Sequence, residues 1–124
     1  MQLICFLLHV DSKIPTHKKT TVICGGSIYD KSTIITTGLC CDPNFHVDFD
    51  KTRIVAGQIE RSHVITGQSK RIKEMIVHPN YSLSWNYPFK PAQLKNNICI
   101  LKLESDLEFN DNVRNIELNY GTGE

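Results

Sequence analysis

The sequence predicts an all-β fold, an antiparallel sandwich or small barrel. Three observations carry that expectation. Six short runs of strand-forming residues alternate with turn signals, and no window of useful length shows a helical period. The stretch from Cys24 to Cys40, CGGSIYDKSTIITTGLC, reads as a β-hairpin with a cysteine at each end. At 124 residues the chain is one domain by length and can bury roughly two-thirds of its unfolded surface. A composition of 40% hydrophobic and 22% charged residues is that of a globular protein and excludes a disordered one.

The first strand runs over about Leu3 to His9. Its LICFLLHV stretch has the apolar character of a signal-peptide core. No basic segment precedes it, no small-residue cleavage site follows and Asp11 comes at once, so a buried strand is the better reading. No apolar run is long enough to cross a membrane. A polar loop from Asp11 to Thr20 leads into the hairpin. There Val22 to Tyr29 is one strand, Asp30-Lys31-Ser32 is the turn and Thr33 to Thr37 is the second strand. Gly25 and Gly26 mark a bulge or a backbone that something else approaches closely. Cys41-Asp42-Pro43-Asn44 is a breaker cluster. Arg53 to Ile59 and Lys70 to Val77 are further strands, His78-Pro79-Asn80-Tyr81 is a turn, and Ile98 to Leu103 is the most apolar strand of all.

A net charge of +1 gives no reason to expect nucleic acid or an anionic membrane as a partner. Five cysteines point to an oxidising compartment, but an odd number leaves at least one without an internal partner. A bridge from Cys24 to Cys40 would close a loop of about 15 residues and contribute roughly 3 kcal/mol. Its neighbour Cys41 competes for the same partner. Cys5 and Cys99 fit buried free thiols or a bridge to each other. With no C-x-x-C pair and no H-x₃-H spacing, neither a metal nor a cofactor is expected. His9, His17, His46, His63 and His78 fall on strand ends and loops, where solvated histidines are common.

Cys24-Gly25-Gly26-Ser27-Ile28, followed by a turn and by Ile34-Ile35-Thr36-Thr37-Gly38-Leu39-Cys40, resembles the Cys-Gly-Gly-Ser…T-A-A-H-C signature of chymotrypsin-like serine proteases. The cysteine spacing agrees, as do His78-Pro79-Asn80-Tyr81 and the run Phe109-Asn110-Asp111-Asn112-Val113-Arg114. The resemblance covers about residues 3–118 and implies the first of the family's two Greek-key barrels, in a chain that begins inside the fold. It also implies that Cys24 bridges Cys40, and that Cys99 stands where the family has a small core residue.

The family hydrolyses peptide bonds with a serine nucleophile, a histidine general base and a buried aspartate that fixes the histidine's tautomer. Leu39 takes the histidine's place, and an aliphatic side chain can neither accept nor deliver a proton. Asn97 takes the aspartate's place, in Asn96-Asn97-Ile98-Cys99-Ile100-Leu101-Lys102-Leu103, an exchange that costs about 10⁴ in rate in this mechanism. No Gly-Asp-Ser-Gly-Gly and no I-V-G-G occurs in the sequence. The resemblance therefore implies a partial protease domain over 1–124, without a catalytic residue of its own. Secretion is expected, with a binding or decoy role in proteolytic cascades and other proteases, inhibitors or protein substrates as partners. The alternative is a serine endopeptidase of which this sequence is a truncated or erroneous version. Fifteen residues separate Tyr81 from Asn97, more than in many relatives. Trp85, Tyr87 and Phe89, stiffened by Pro88 and Pro91, fit either protein recognition there or packing over the barrel.

Overall fold

The computed structural model describes residues 4–11, 19–44, 49–57, 67–86 and 90–117. Among these residues there are eight strands: β1 (Ile4–Asp11), β2 (Lys19–Asp30), β3 (Thr33–Thr36), β4 (Thr52–Ala56), β5 (Gln68–Val77), β6 (Ser82–Asn86), β7 (Lys90–Lys95) and β8 (Cys99–Leu103). Six of them close an antiparallel barrel in the order β1-β2-β3-β8-β5-β4, with β4 pairing back onto β1. The expected all-β, chymotrypsin-like single barrel is the fold observed. Closure leaves this sheet without an edge strand.

Period-two patterning explains which side chains fill the interior. On β8, Cys99, Leu101 and Leu103 are buried while Ile100 and Lys102 are half-exposed. That strand lies between β3 and β5, so Leu101 has Ile34 on one side and Met75 on the other in the sheet register. Ile28, Ile34, Ile54, Ile72, Leu101 and Leu103 form the centre of the core. The hairpin β2–β3 turns at Asp30, whose carboxylate accepts the Ser32 backbone N–H at 2.9 Å. The bulge expected near the paired glycines falls just before them. Leu7 pairs with Cys24 and Leu8 with Val22, which leaves Ile23 as the extra residue. Gly25 itself is approached closely, its carbonyl accepting the Thr36 hydroxyl at 2.8 Å.

Past β8 the chain lies over the barrel. The Leu107 N–H donates to Lys31 O at 2.7 Å and the Ile116 N–H to Ile28 O at 2.8 Å. Leu107 and Val113 are thereby brought into the core, each 1% exposed. Gly57 ends β4 with φ +79°, and a Cβ there would stand 2.8 Å from Val113 Cγ2, so backbone and packing both demand glycine.

Two expectations are corrected. The stretch between Tyr81 and Asn97, where the pattern predicts no strand, holds β6 and β7, which pair as a separate two-stranded sheet with Leu83 opposite Leu94 and Ser84 opposite Gln93. Pro88, Pro91 and several polar residues break the period-two pattern and hid this hairpin from pattern reading. Cys99 is not a free thiol, nor is it bridged to Cys5. It is bonded to Cys41, while Cys24 is bonded to Cys40. Cys5 is the cysteine left over; it pairs through its backbone with Gly26 and Ala56.

Candidate functional site at one end of the barrel

β3 ends where β8 begins, since Thr36 pairs with Cys99, and β5 ends there too through Val77 opposite Cys99. A 3₁₀ turn, Leu39–Cys41, follows β3 at this end. It forms because Cys41 N–H reaches Gly38 O at 3.0 Å and Asp42 N–H reaches Leu39 O at 3.2 Å. Adjacent residues on so tight a turn point in different directions. Cys40 faces β2 and closes on Cys24; Cys41 faces β8 and closes on Cys99. The turn is therefore tied to the barrel on both sides. The Thr37 hydroxyl lies 2.9 Å from Cys40 Sγ and must be the donor, because a disulfide sulfur carries no proton.

Leu39 and Asn97, 58 residues apart in sequence, meet at this end. The Leu39 backbone N–H donates to Asn97 Oδ1 at 2.9 Å. Asn97 is presented by Asn96, which takes φ +52°, a left-handed conformation that asparagine tolerates well. Asn96 Nδ2 in turn donates to Asn80 O at 2.9 Å. The side chain at 39 is half-buried and aliphatic, so the polar contact between the two positions pairs the Leu39 backbone with the Asn97 side chain. Replacing Asn97 by alanine should strand that N–H and lower stability by about 1–2 kcal/mol. Asn97→Asp retains an acceptor and should stay within about 0.5 kcal/mol of the parent by urea denaturation at pH 7. Equal losses in both variants would count against the contact.

Beneath the turn lies a pair that sequence reading missed. The Tyr81 hydroxyl donates to Asp42 Oδ2 at 2.8 Å, and Asp42 Oδ1 accepts the Asn44 N–H at 3.0 Å. Asp42 is only 6% exposed. The Tyr81 ring crosses so near the backbone that a Cβ on Gly38 would fall 2.5 Å from its Cδ1. The glycine in place of alanine before Leu39 was the available sequence signal. The Asn44 N–H, with Tyr81 second, holds the Asp42 carboxyl below the usual carboxylate range. Burial first, then the bond to Asp42, pushes the Tyr81 hydroxyl above its ordinary value.

The two shifts act at opposite ends of the pH scale. A depressed carboxyl stabilises the fold above its unfolded value of about 3.9 and loses that contribution as pH falls through the folded value. A raised phenol contributes fully below its unfolded value of about 10 and is lost as pH rises through the folded one. Tyr81→Phe should be less stable than the parent at pH 7, with the difference shrinking above about pH 10. A difference that stays constant up to pH 11.5 would show that the hydroxyl is not the cause.

His78 is half-buried in the turn before β6, and its Nδ1 accepts the Asn80 N–H at 2.9 Å, which occupies it structurally. His9 lies in β1, while His17, His46 and His63 lie outside the described residues. Trp85 belongs to β6, and Tyr87 and Phe89 lie outside the described residues. Because β6 and β7 connect Tyr81 to Asn96, their hairpin is rooted beside Leu39 and Asn97.

The family model for trypsin matches residues 10–123. The chain belongs to the trypsin family. It is 32% identical over 96 residues to Trypsin-1 of Astacus astacus, covering 77% of this chain and 37% of that protein. It is 33% identical over 95 residues to hypodermin-A of Hypoderma lineatum, covering 77% of this chain and 32% of the relative. A CLIP domain-containing serine protease, B15 of Anopheles gambiae, is 28% identical over 106 residues, or 79% of this chain and 28% of its own length. This trypsin-family chain thus spans about a third of the length of the curated relatives it matches. No helix among its described residues is long and apolar enough to cross a membrane.

Proposed function

We propose that this member of the trypsin family works by binding proteins and does not hydrolyse them at the Leu39 end of its barrel. The observation that carries the reading is the contact between Leu39 and Asn97. It supports taking them as the family's histidine and aspartate positions, because a 3₁₀ turn after β3 and the short segment leading into β8 meet there by hydrogen bond. With leucine at the base position, no proton can be taken from a nucleophile, whatever supplies that nucleophile. The expected partners are other proteases, their inhibitors or protein substrates in an extracellular cascade, a compartment that suits two disulfides. The β6–β7 hairpin, with Trp85 in β6 and with Tyr87 and Phe89 between the two strands in sequence, is the region assigned to recognition.

Active-site labelling of the protein purified from its source with a fluorophosphonate tests the reading. No labelling is expected. The relatives' names favour a second reading, a serine endopeptidase, and stoichiometric labelling of a serine would adopt it. Affinity capture should retain proteases or protease inhibitors, and Trp85→Ala with Phe89→Ala should release them. Unchanged capture would remove the hairpin from the proposal.

A further inference from the structure

A concave site lies on the outer face of β4 and β5, lined by Asp50, Arg53, Arg71, Ile72, Lys73 and Glu104. Arg53 and Arg71 stand directly opposite one another in the β4–β5 register. Like charges in that relation repel and destabilise a sheet. Ile72 is buried in the core, so Arg71 and Lys73, its neighbours on β5, both point outward. Arg53 is fixed in place, its Nη1 donating to Asp50 O at 2.7 Å and to Thr52 O at 3.1 Å. Its five N–H donors exceed those two acceptors. Three cations face two carboxylates here, which leaves one positive charge in excess on a concave surface. Burial and Arg71 oppose the charge on Arg53, while Glu104 and Asp50 support it. None of these groups belongs to the Leu39 end of the barrel.

We propose that this cleft binds a tetrahedral oxyanion, phosphate or sulfate, between Arg53, Arg71 and Lys73. A doubly charged oxyanion presents several acceptors to forked guanidinium donors and cancels the repulsion between the paired arginines. Asp50 and Glu104 work against the anion, so they tune its affinity and do not hold it.

The test is thermal unfolding of the full chain in sodium phosphate or sulfate against sodium chloride at matched ionic strength. At ten times the dissociation constant the midpoint should rise by about 5 °C. Sulfate and phosphate also stabilise proteins without a site, so the decisive comparison is with Arg71→Ala. That variant should lose the anion-specific rise, yet in chloride unfold at the same temperature as the parent or higher, because the repulsion is gone. Glu104→Gln should lower the phosphate concentration needed for half the effect. Phosphoserine adds a third arm: a rise equal to that with phosphate assigns a free ion, and a larger one assigns an ion carried on a partner. A rise that persists in Arg71→Ala, or no rise over chloride in the parent, overturns the proposal.

Discussion

Replacing Cys41 and Cys99 together by alanine should lower the free energy of unfolding by about 4 kcal/mol. The bridge spans 58 residues, and cross-linking so long a loop removes much of the unfolded chain's freedom in the entropy model. Removing Cys24 and Cys40, which span 16 residues, should cost about 3 kcal/mol. Either loss is a large fraction of the roughly 5–15 kcal/mol that holds such a domain folded. The Cys41 and Cys99 side chains are both buried, at 6% and 0% exposure, so the double substitution also removes packing inside the core. Urea denaturation of the parent and the two double variants ranks the bridges. A Cys41/Cys99 variant within 1 kcal/mol of the parent would show that the long-span bridge adds nothing. The local consequence should appear in hydrogen exchange: the Leu39 amide, bonded to Asn97, should lose protection first.

Leu101→Ala should cost about 3–5 kcal/mol. Leu101 is fully buried at the middle of β8, between Ile34 of β3 and Met75 of β5. Neighbouring strands of a closed barrel have little freedom to collapse into the space left by three carbons, so the cavity term adds to the transfer term. Ile100→Ala, one residue away on the half-exposed outer face, should cost less than half as much. Equal losses at 100 and 101 would mean that the alternation along β8 does not divide inside from outside.

The barrel was legible because its strands carry their own signals. Ile28 and Ile34 sit in strand-forming runs on either side of Asp30-Lys31-Ser32, and that local turn fixes the β2–β3 register. Leu101 recurs at period two with Cys99 and Leu103 on β8. The Cys24–Cys40 bridge was legible only through the family's spacing. Its companion was not, because sequence gives no distance between a residue after β3 and one at the start of β8. A clue was present in Cys99, which lies in phase with Leu101 and Leu103 and so had to point inward, toward the end of the barrel where Cys41 sits. The Asp42–Tyr81 bond was hidden for a similar reason. Asp42-Pro43 reads as turn chemistry, and nothing local says that its carboxylate is buried under a tyrosine 39 residues away. The paired arginines at 53 and 71 became visible only once the β4–β5 register was known.

The two cysteines at 40 and 41 set a problem for the oxidising chain before the barrel exists. Exchanging their partners would give Cys24–Cys41 and Cys40–Cys99, loops longer by one residue each than the native pair. Chain entropy scales with the logarithm of loop length and cannot tell the two isomers apart. Discrimination must come from the direction of the two thiols, which the 3₁₀ turn after Gly38 fixes. Native pairing in this protein is thus a readout of three backbone hydrogen bonds, made at Cys40, Cys41 and Asp42.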